Sequence, residues 1–514
     1  MGLRSRAIPM NSKCWLVLSV TLLLALCAPT SSAQSATVKV DWSKVTQVSK
    51  TTPTLQVVVN PPLRRGSSIH DNAFQTLHDL QDDYVRYVPW LPYPKLGVAE
   101  LEPPKDGKTS WDFSLIDPMT IDFLDATKGH SVILNFSTIP QWMFITDKPV
   151  AYPDNPDQPV WDYEKGTELR DPSAKEVADY YARLLSWYTK GGFTDELGKR
   201  HESGYHYSIP YWEVLNEVEF EHHMTPETYT KIYDAVVTEM KKVQPDTKFV
   251  GMALAIPARV PDFFEYFLNH KNHQPGIPLD FISYHFYASP APDETPETQQ
   301  YTFFAQADGF LNLVRYIESI RKRLSPETRT TIDEIGAISA DDQGQGEPGH
   351  VTAPIPNSYW NLTGAMYAYL FAEMTRMGID VAGESQLVGY PTQFPSVSMV
   401  DWNTGKANAR TWVLKLLHEN FGPGDKLVEI ESNDAAPSSD WYLYSMAVVT
   451  PQGKHRVLLV NKRDRPCEVT IAGAAGGQEE YVDQNTGLKP PASAKLEGDK
   501  VTLNGFSVAV VTLP

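Results

Sequence analysis

Two glutamates close otherwise apolar stretches of this chain. Tyr211-Trp212-Glu213-Val214-Leu215-Asn216-Glu217 ends in Asn-Glu, and Thr331-Ile332-Asp333-Glu334-Ile335-Gly336 ends in Glu-Ile-Gly. Most glutamates are solvated surface charges, and a carboxyl group at the end of an apolar strand departs from that habit. Two such groups together suit cleavage of a glycosidic bond. One donates a proton to the leaving oxygen, and the other attacks or stabilises the anomeric carbon. Glu217 and Glu334 are the candidate pair.

They lie 117 residues apart, enough for three intervening βα units if both strands belong to one parallel barrel. The pattern between and around them fits, because short apolar runs alternate with helical periodicity. Strands are expected at Val57–Val59, Tyr84–Val88, Ser131–Phe136, Tyr211–Asn216, Lys248–Ala253, Phe281–Phe286 and Thr331–Ile335. Asp171-Pro172 and Thr225-Pro226 each place a capping side chain before a proline, and apolar residues then recur at helical spacing. Further helices are expected over Ile116–Leu124 and Ala409–Leu417. From about residue 425 helical periodicity stops. Trp441–Thr450, Val457–Asn461, Val469–Ile471 and Val501–Leu513 read as strands of a β-sandwich. The expected division is a leader over 1–33, N-terminal strands over 34–56 that join the sandwich, a (β/α)8 TIM barrel over 57–422, and a C-terminal β-sandwich over 423–514.

The leader reading rests on Arg4, Arg6 and Lys13, an apolar run from Trp15 to Leu26, and Ser31-Ser32-Ala33 before Gln34. That composition implies a secreted or periplasmic protein, with a retained anchor as the alternative. Leu26 before Cys27 argues against lipidation. Cys14 and Cys27 sit inside the leader, so Cys467 alone remains after cleavage and no internal disulfide forms. The formal charge of −18 becomes −21 once the three basic leader residues are gone. Such a surface repels nucleic acid and anionic membrane, and argues mildly against strongly anionic polysaccharides. The 12 Trp, 25 Tyr and 20 Phe suit a carbohydrate site, where sugar C–H faces pack on rings, but they suit a core equally.

Strand–Asn–Glu followed by a second strand-end Glu resembles the clan A glycoside hydrolases, whose two glutamates follow barrel strands four and seven. Trp111-Asp112-Phe113-Ser114-Leu115-Ile116-Asp117, then Val132 to Pro140 and Trp142, is similar to glycoside hydrolase family 39, which contains β-xylosidases and α-L-iduronidases. Asp280 to Tyr287 resembles the sixth strand, where a ring near the nucleophile is expected, and Asn408-Ala409-Arg410-Thr411-Trp412 resembles the final barrel helix. The likeness covers roughly residues 60 to 420. It implies Glu217 as general acid/base, Glu334 as nucleophile and Asn216 as a ligand of the sugar 2-hydroxyl, against a local turn bond. Two departures stand out. Asn216-Glu217-Val218-Glu219 replaces the usual Asn-Glu-Pro, and Gly383-Glu384-Ser385-Gln386 replaces a tryptophan near strand eight.

The remaining candidates each carry a second reading. His285 and Tyr287 share a strand face and either line the site or fill the core. Trp142 stacks on sugar or caps the barrel, and Arg86 holds Glu334 ionised or forms a structural ion pair. Glu219, Glu221, His222 and His223 suggest metal, but adjacent histidines do not share a helix face, so a polar loop at the pocket mouth is preferred. Asn135 and Asn361 head glycosylation sequons, and the first runs into a strand. The function expected is retaining hydrolysis of plant or microbial oligo- or polysaccharides without metal or organic cofactor, β-xylosidase-like and exo-acting. A non-catalytic carbohydrate-binding barrel, a transglycosylase, and arabinosidase, glucosidase or uronidase action are the alternatives. Oligomeric state is left open.

Overall fold

The computed structural model describes residues 34–148, 151–161, 166–344, 351–431 and 442–514, so the leader reading lies outside the described residues. Eight parallel strands close into a barrel: Thr52–Val58, Val85–Val88, Val132–Leu134, Tyr211–Val214, Lys248–Leu254, Phe281–Ala288, Arg329–Ala337 and Val381–Glu384. They read as near-continuous apolar runs because helices cover their outer face while packed side chains fill the inner one. Ile133, Tyr211, Val250, Phe281 and Val381 pack together near the starts of their strands. That plug closes the floor and leaves the C-terminal strand ends for chemistry.

The barrel begins earlier than the expected boundary at residue 57. Thr52 to Leu55 pair in register with Val381 to Glu384, and this pairing closes the barrel. Only the long strand Gln34–Val48 belongs to the sandwich. Its first residues run parallel to Cys467–Ile471 and its later ones antiparallel to Lys426–Glu431, so one strand bridges both leaves.

The expected strand over Val501–Leu513 is two. Lys500–Leu503 pairs with Cys467–Ile471, whereas Val508–Thr512 pairs with His455–Asn461 and Gln478–Val482. Phe506, at φ +53°, turns the chain between them. Residues 457 to 460 and 508 to 511 are apolar without interruption for a simple reason. Val457, Leu459, Ala509 and Val511 face the sandwich interior, while Leu458, Val460, Val508 and Val510 pack into the barrel's main core. The sandwich is thus cemented to the barrel helices on its second face. Trp441, at the start of one expected strand, lies outside the described residues.

Helix starts follow the sequence signals unevenly. Pro226–Val243 begins where Thr225 caps it, accepting from the Thr228 N–H at 3.3 Å. The other helix runs Lys175–Thr189, starting later than Asp171-Pro172 suggests. Asp171 first turns the chain by accepting from Ser173, then reaches the Glu176 N–H at 3.0 Å, so its capping acts from outside the helix.

Candidate active site

The fourth strand ends at Val214, and the backbone then takes left-handed turns at Leu215 (φ +64°) and Glu217 (φ +44°). Non-glycine residues resist this region, so surrounding contacts must impose it. They do: Asn135 Nδ2 donates to the Leu215 carbonyl at 3.0 Å, and the Glu217 N–H donates to the Ala253 carbonyl at 2.9 Å. The result swings Glu217 off the strand into the barrel mouth. Glu334 needs no such device, because the seventh strand continues through it.

A carboxylate oxygen of Glu217, one of Glu334 and a ring nitrogen of His285 all lie within 4.8 Å of one another. His285 Nδ1 donates to Glu217 Oε1 at 2.9 Å and stands 3.5 Å from Glu334 Oε2. Burial alone would lower the His285 pKa, but Glu334, Glu217 and Asp333 more than offset it and push it up to about 9. The imidazole is therefore a cation at neutral pH.

Glu334 is gripped from two sides. Arg86 Nη1 donates to Oε1 at 2.5 Å, and the Tyr287 hydroxyl donates to Oε2 at 2.6 Å. Burial would raise the Glu334 pKa, but the charges on His285 and Arg86 and these hydrogen bonds hold it below the usual carboxylate range. An ionised carboxylate is what a nucleophile requires. Of the two readings of Arg86, the structure supplies both at once. Its guanidinium also binds Glu213 (2.5 Å), Gln56 (2.7 Å) and Asn216 Oδ1 (2.7 Å). Asn216 spends its Nδ2 on Glu221 at 3.1 Å. Asp333 sits behind the trio, where burial and neighbouring Glu213 push its carboxyl well above the usual carboxylate range.

The cavity over these groups measures about 810 Å³. Asn216, Glu217, His285, Tyr287 and Glu334 line it, and Arg86 lies just beneath. Trp142 does not line it. The short turn Gln141–Met143 carries that ring outward, where Nε1 donates to the Glu100 carbonyl at 2.9 Å and Arg170 covers the face at 4.3 Å. The aromatic wall is built instead by Trp90, Trp161 and Phe394, mutually in contact at 5.6 to 6.1 Å. Sequence reading passed over these three, along with Gln56 and Glu213. Gln56 and Glu213 did carry a signal, since each is a polar residue inside an apolar strand. Trp90 and Phe394 lie in loops, where no periodicity points at anything.

Among the suspected metal residues, Glu221 accepts from Trp90 Nε1 at 2.7 Å and lines the cavity, while His222 contacts the Gly166 carbonyl and stacks on Phe144. Glu219 is turned away, accepting from the Ile256 N–H at 2.7 Å. Asn135 is buried and donates to Glu213, and Asn361 is buried within the helix Asn357–Met377, so neither side chain is presented for glycosylation.

The chain's likeness to known proteins converges on the same place. The model of Glycosyl hydrolases family 39 matches residues 79–339, about half of the chain and a span that holds both glutamates. A beta-xylosidase of Caldicellulosiruptor saccharolyticus is 27% identical over 209 residues, 41% of this chain but only 37% of that protein. Among solved structures, a glucosidase from Croceicoccus marinus covers 93% of this chain and 98% of its own, at a TM-score of 0.58 and 16% identity. The GH51 arabinofuranosidase from Xanthomonas axonopodis pv. citri covers 94% and 100%, at 0.61 and 13%. At those identities the likeness speaks for the barrel-plus-sandwich fold alone. With its two strand-end glutamates facing each other across one cavity, the chain belongs to glycosyl hydrolases family 39.

Proposed function

We propose that the protein hydrolyses β-xyloside-like O-glycosidic bonds with net retention, releasing one terminal sugar at a time, and works outside the cytoplasm. The observation that carries the mechanism is the approach of the Glu217 and Glu334 oxygens to within 4.8 Å. Retention calls for carboxyl groups about 5 to 5.5 Å apart, whereas inversion needs about 6.5 to 9.5 Å to admit a water. In the first step Glu334 attacks the anomeric carbon, and the C–O bond breaks toward the leaving oxygen, which takes the proton from Glu217. In the second step water attacks the same carbon and gives its proton to Glu217, and the ester bond to Glu334 breaks. Asn216 borders the cavity beside Glu217 and supports contact with the sugar 2-hydroxyl.

Exo action is supported by a cavity of about 810 Å³, which suits one sugar and its leaving group rather than a long polymer. The xyloside preference rests on the 27% identical relative, and export rests on the leader composition. A panel of aryl glycosides tests the sugar. NMR of the first product tests the mechanism, the expected result being the same anomer as the substrate; initial release of the opposite anomer would overturn it. Recovery of a mature chain beginning near Gln34 from a secreting host checks export.

A further inference from the structure

The cavity has two chemically unlike halves. On the side of Arg86, Gln56, Asn216, Glu221, Tyr287 and Ser385 surround the Glu217–His285–Glu334 trio, with the rings of Trp90, Trp161 and Phe394 beyond Glu221. On the far side of Glu217 the wall is almost entirely apolar. Phe220 and the Ile256-Pro257-Ala258 loop stand on one flank, and Phe286, Phe310 and Leu313 on the other. Phe286 and Phe310, both largely buried, stack on each other at 4.5 Å and 19° and border the cavity. Phe220 is 55% exposed, a large apolar side chain held toward water beside the proton donor.

Two further observations bear on what occupies this half. Gln306 is a polar side chain on that flank, but its amide is already committed. Its Oε1 accepts from the Ser289 N–H and its Nε2 donates to the Ser289 carbonyl, both at 2.8 Å. Gly309 lines the same flank from within the helix Pro296–Leu324. Glycine is among the poorest residues for a helix interior, and here no close approach of backbone demands it. A Cβ placed at Gly309 would meet no atom within 4 Å. The missing side chain leaves open space in the cavity.

We infer that this apolar half is the leaving-group site, and that it selects glycosides whose aglycone is a flat, apolar, ring-bearing alcohol rather than a second sugar. The inference rests on the assignment of Glu217 as proton donor, because the donor must stand beside the leaving oxygen. A sugar in this position would bring several hydroxyl groups against Phe220, Ile256, Phe286, Phe310 and Leu313, where burying them without partners is unfavourable. A fused ring would stack on Phe286 and enter the space that Gly309 leaves.

The test compares benzyl and 2-naphthylmethyl glycosides of one sugar with the corresponding disaccharide. All three release comparably poor alkoxide leaving groups, so kcat/KM reads recognition. The wild-type enzyme should prefer 2-naphthylmethyl over benzyl by about tenfold, the scale of one added apolar group in a pocket, and should prefer both over the disaccharide. Gly309→Leu, which fills the space, should erase the naphthylmethyl advantage. Phe220→Ser, at a position 55% exposed, should reduce it several-fold. Preference for the disaccharide, or an unchanged ratio in both variants, would overturn the inference. Calorimetric binding of 2-naphthalenemethanol separates this from the hydrolase reading. If no glycoside is turned over, that reading fails, yet the slot stands if wild type binds the alcohol about tenfold more tightly than Gly309→Leu. It falls if the two bind alike or wild type does not bind.

Discussion

Arg86 and Arg410 are both about 1% exposed, and each is ion-paired to a buried glutamate, Glu334 and Glu384 respectively. The two clusters nevertheless shift their carboxyl groups in opposite directions. Glu334 receives hydrogen bonds on both oxygens and faces a second cation in His285, so it stays below the usual carboxylate range. Glu384 is bound by Arg410 at 2.8 Å through one oxygen, while its other oxygen finds no donor among the described residues. Burial therefore dominates and pushes Glu384 up to about 7. Arg410 spends its remaining donors on the Val397 and Ser385 carbonyls, tying down the loop after strand eight. Burial and pairing alone do not mark a catalytic group. What separates the clusters is that Glu334 opens onto the cavity and its charge is over-determined, whereas Glu384 lies behind the wall with one partner.

The sharpest way to break that comparison is to neutralise each glutamate. Glu334→Gln should lose roughly 10⁴-fold or more of kcat while remaining folded, since the change is nearly isosteric. Glu384→Gln should stay within about tenfold of wild type. Equal losses would mean that the second cluster also takes part in chemistry.

Glu217→Ala tests the partner carboxyl and should fall by roughly 10²- to 10⁴-fold on glycosides with poor leaving groups. With dinitrophenyl glycosides the bond breaks with little protonation, so the loss of the first step should be far smaller. The covalent intermediate should then accumulate, and azide should restore turnover with retained configuration. If good and poor leaving groups slow alike and azide does nothing, Glu217 is not the acid/base. Glu219 is a poor substitute in that event, held as it is by the Ile256 N–H away from the cavity.

Removing the arginine of the structural cluster separates stability from chemistry. Arg410→Met leaves Glu384 buried without its cation, and denaturant titration should show a loss of about 3 to 5 kcal/mol. The folded fraction should keep most of its kcat/KM. An activity loss much larger than the unfolded fraction explains would show that the two clusters are coupled through Ser385, whose hydroxyl meets both Tyr287 and Gln56.

The smallest expected effect is a pH dependence confined to the catalytic cluster. His285 rises from 6.5 to about 9 in the folded protein. Its contribution is fully present below about pH 6.5 and is lost as pH rises through about 9, a change of about 3 kcal/mol for that group. Glu334 acts in the opposite sense: lowered in the fold, it contributes stability that is lost as pH falls into the acid range. The difference in unfolding free energy between wild type and His285→Phe should therefore shrink from pH 6 to pH 10. A constant difference would mean that His285 is neutral throughout.

The candidate pair was legible because it stands where pattern and chemistry disagree. Glu217 and Glu334 interrupt apolar strands, and that contradiction survives without any coordinates. His285 and Tyr287 came from the resemblance to the family's sixth strand, and the change of character near residue 425 followed from the loss of helical period. Alternating strand and helix patterns marked seven of the eight barrel strands, while Val381–Glu384 was not read as a strand and the eightfold closure was expected from the family resemblance. What tertiary structure alone decided is which side chains meet. Trp142 and Trp90 are both tryptophans shortly after barrel strands, yet only Trp90 faces the cavity. The four partners of Arg86 come from strands one, four and seven and from the turn after strand four, up to 248 residues from Arg86 itself. Periodicity reports the face a residue takes within its own element. The direction of a loop, and the convergence of strands distant in sequence, are set by closure of the barrel, where Thr52 to Leu55 meet Val381 to Glu384.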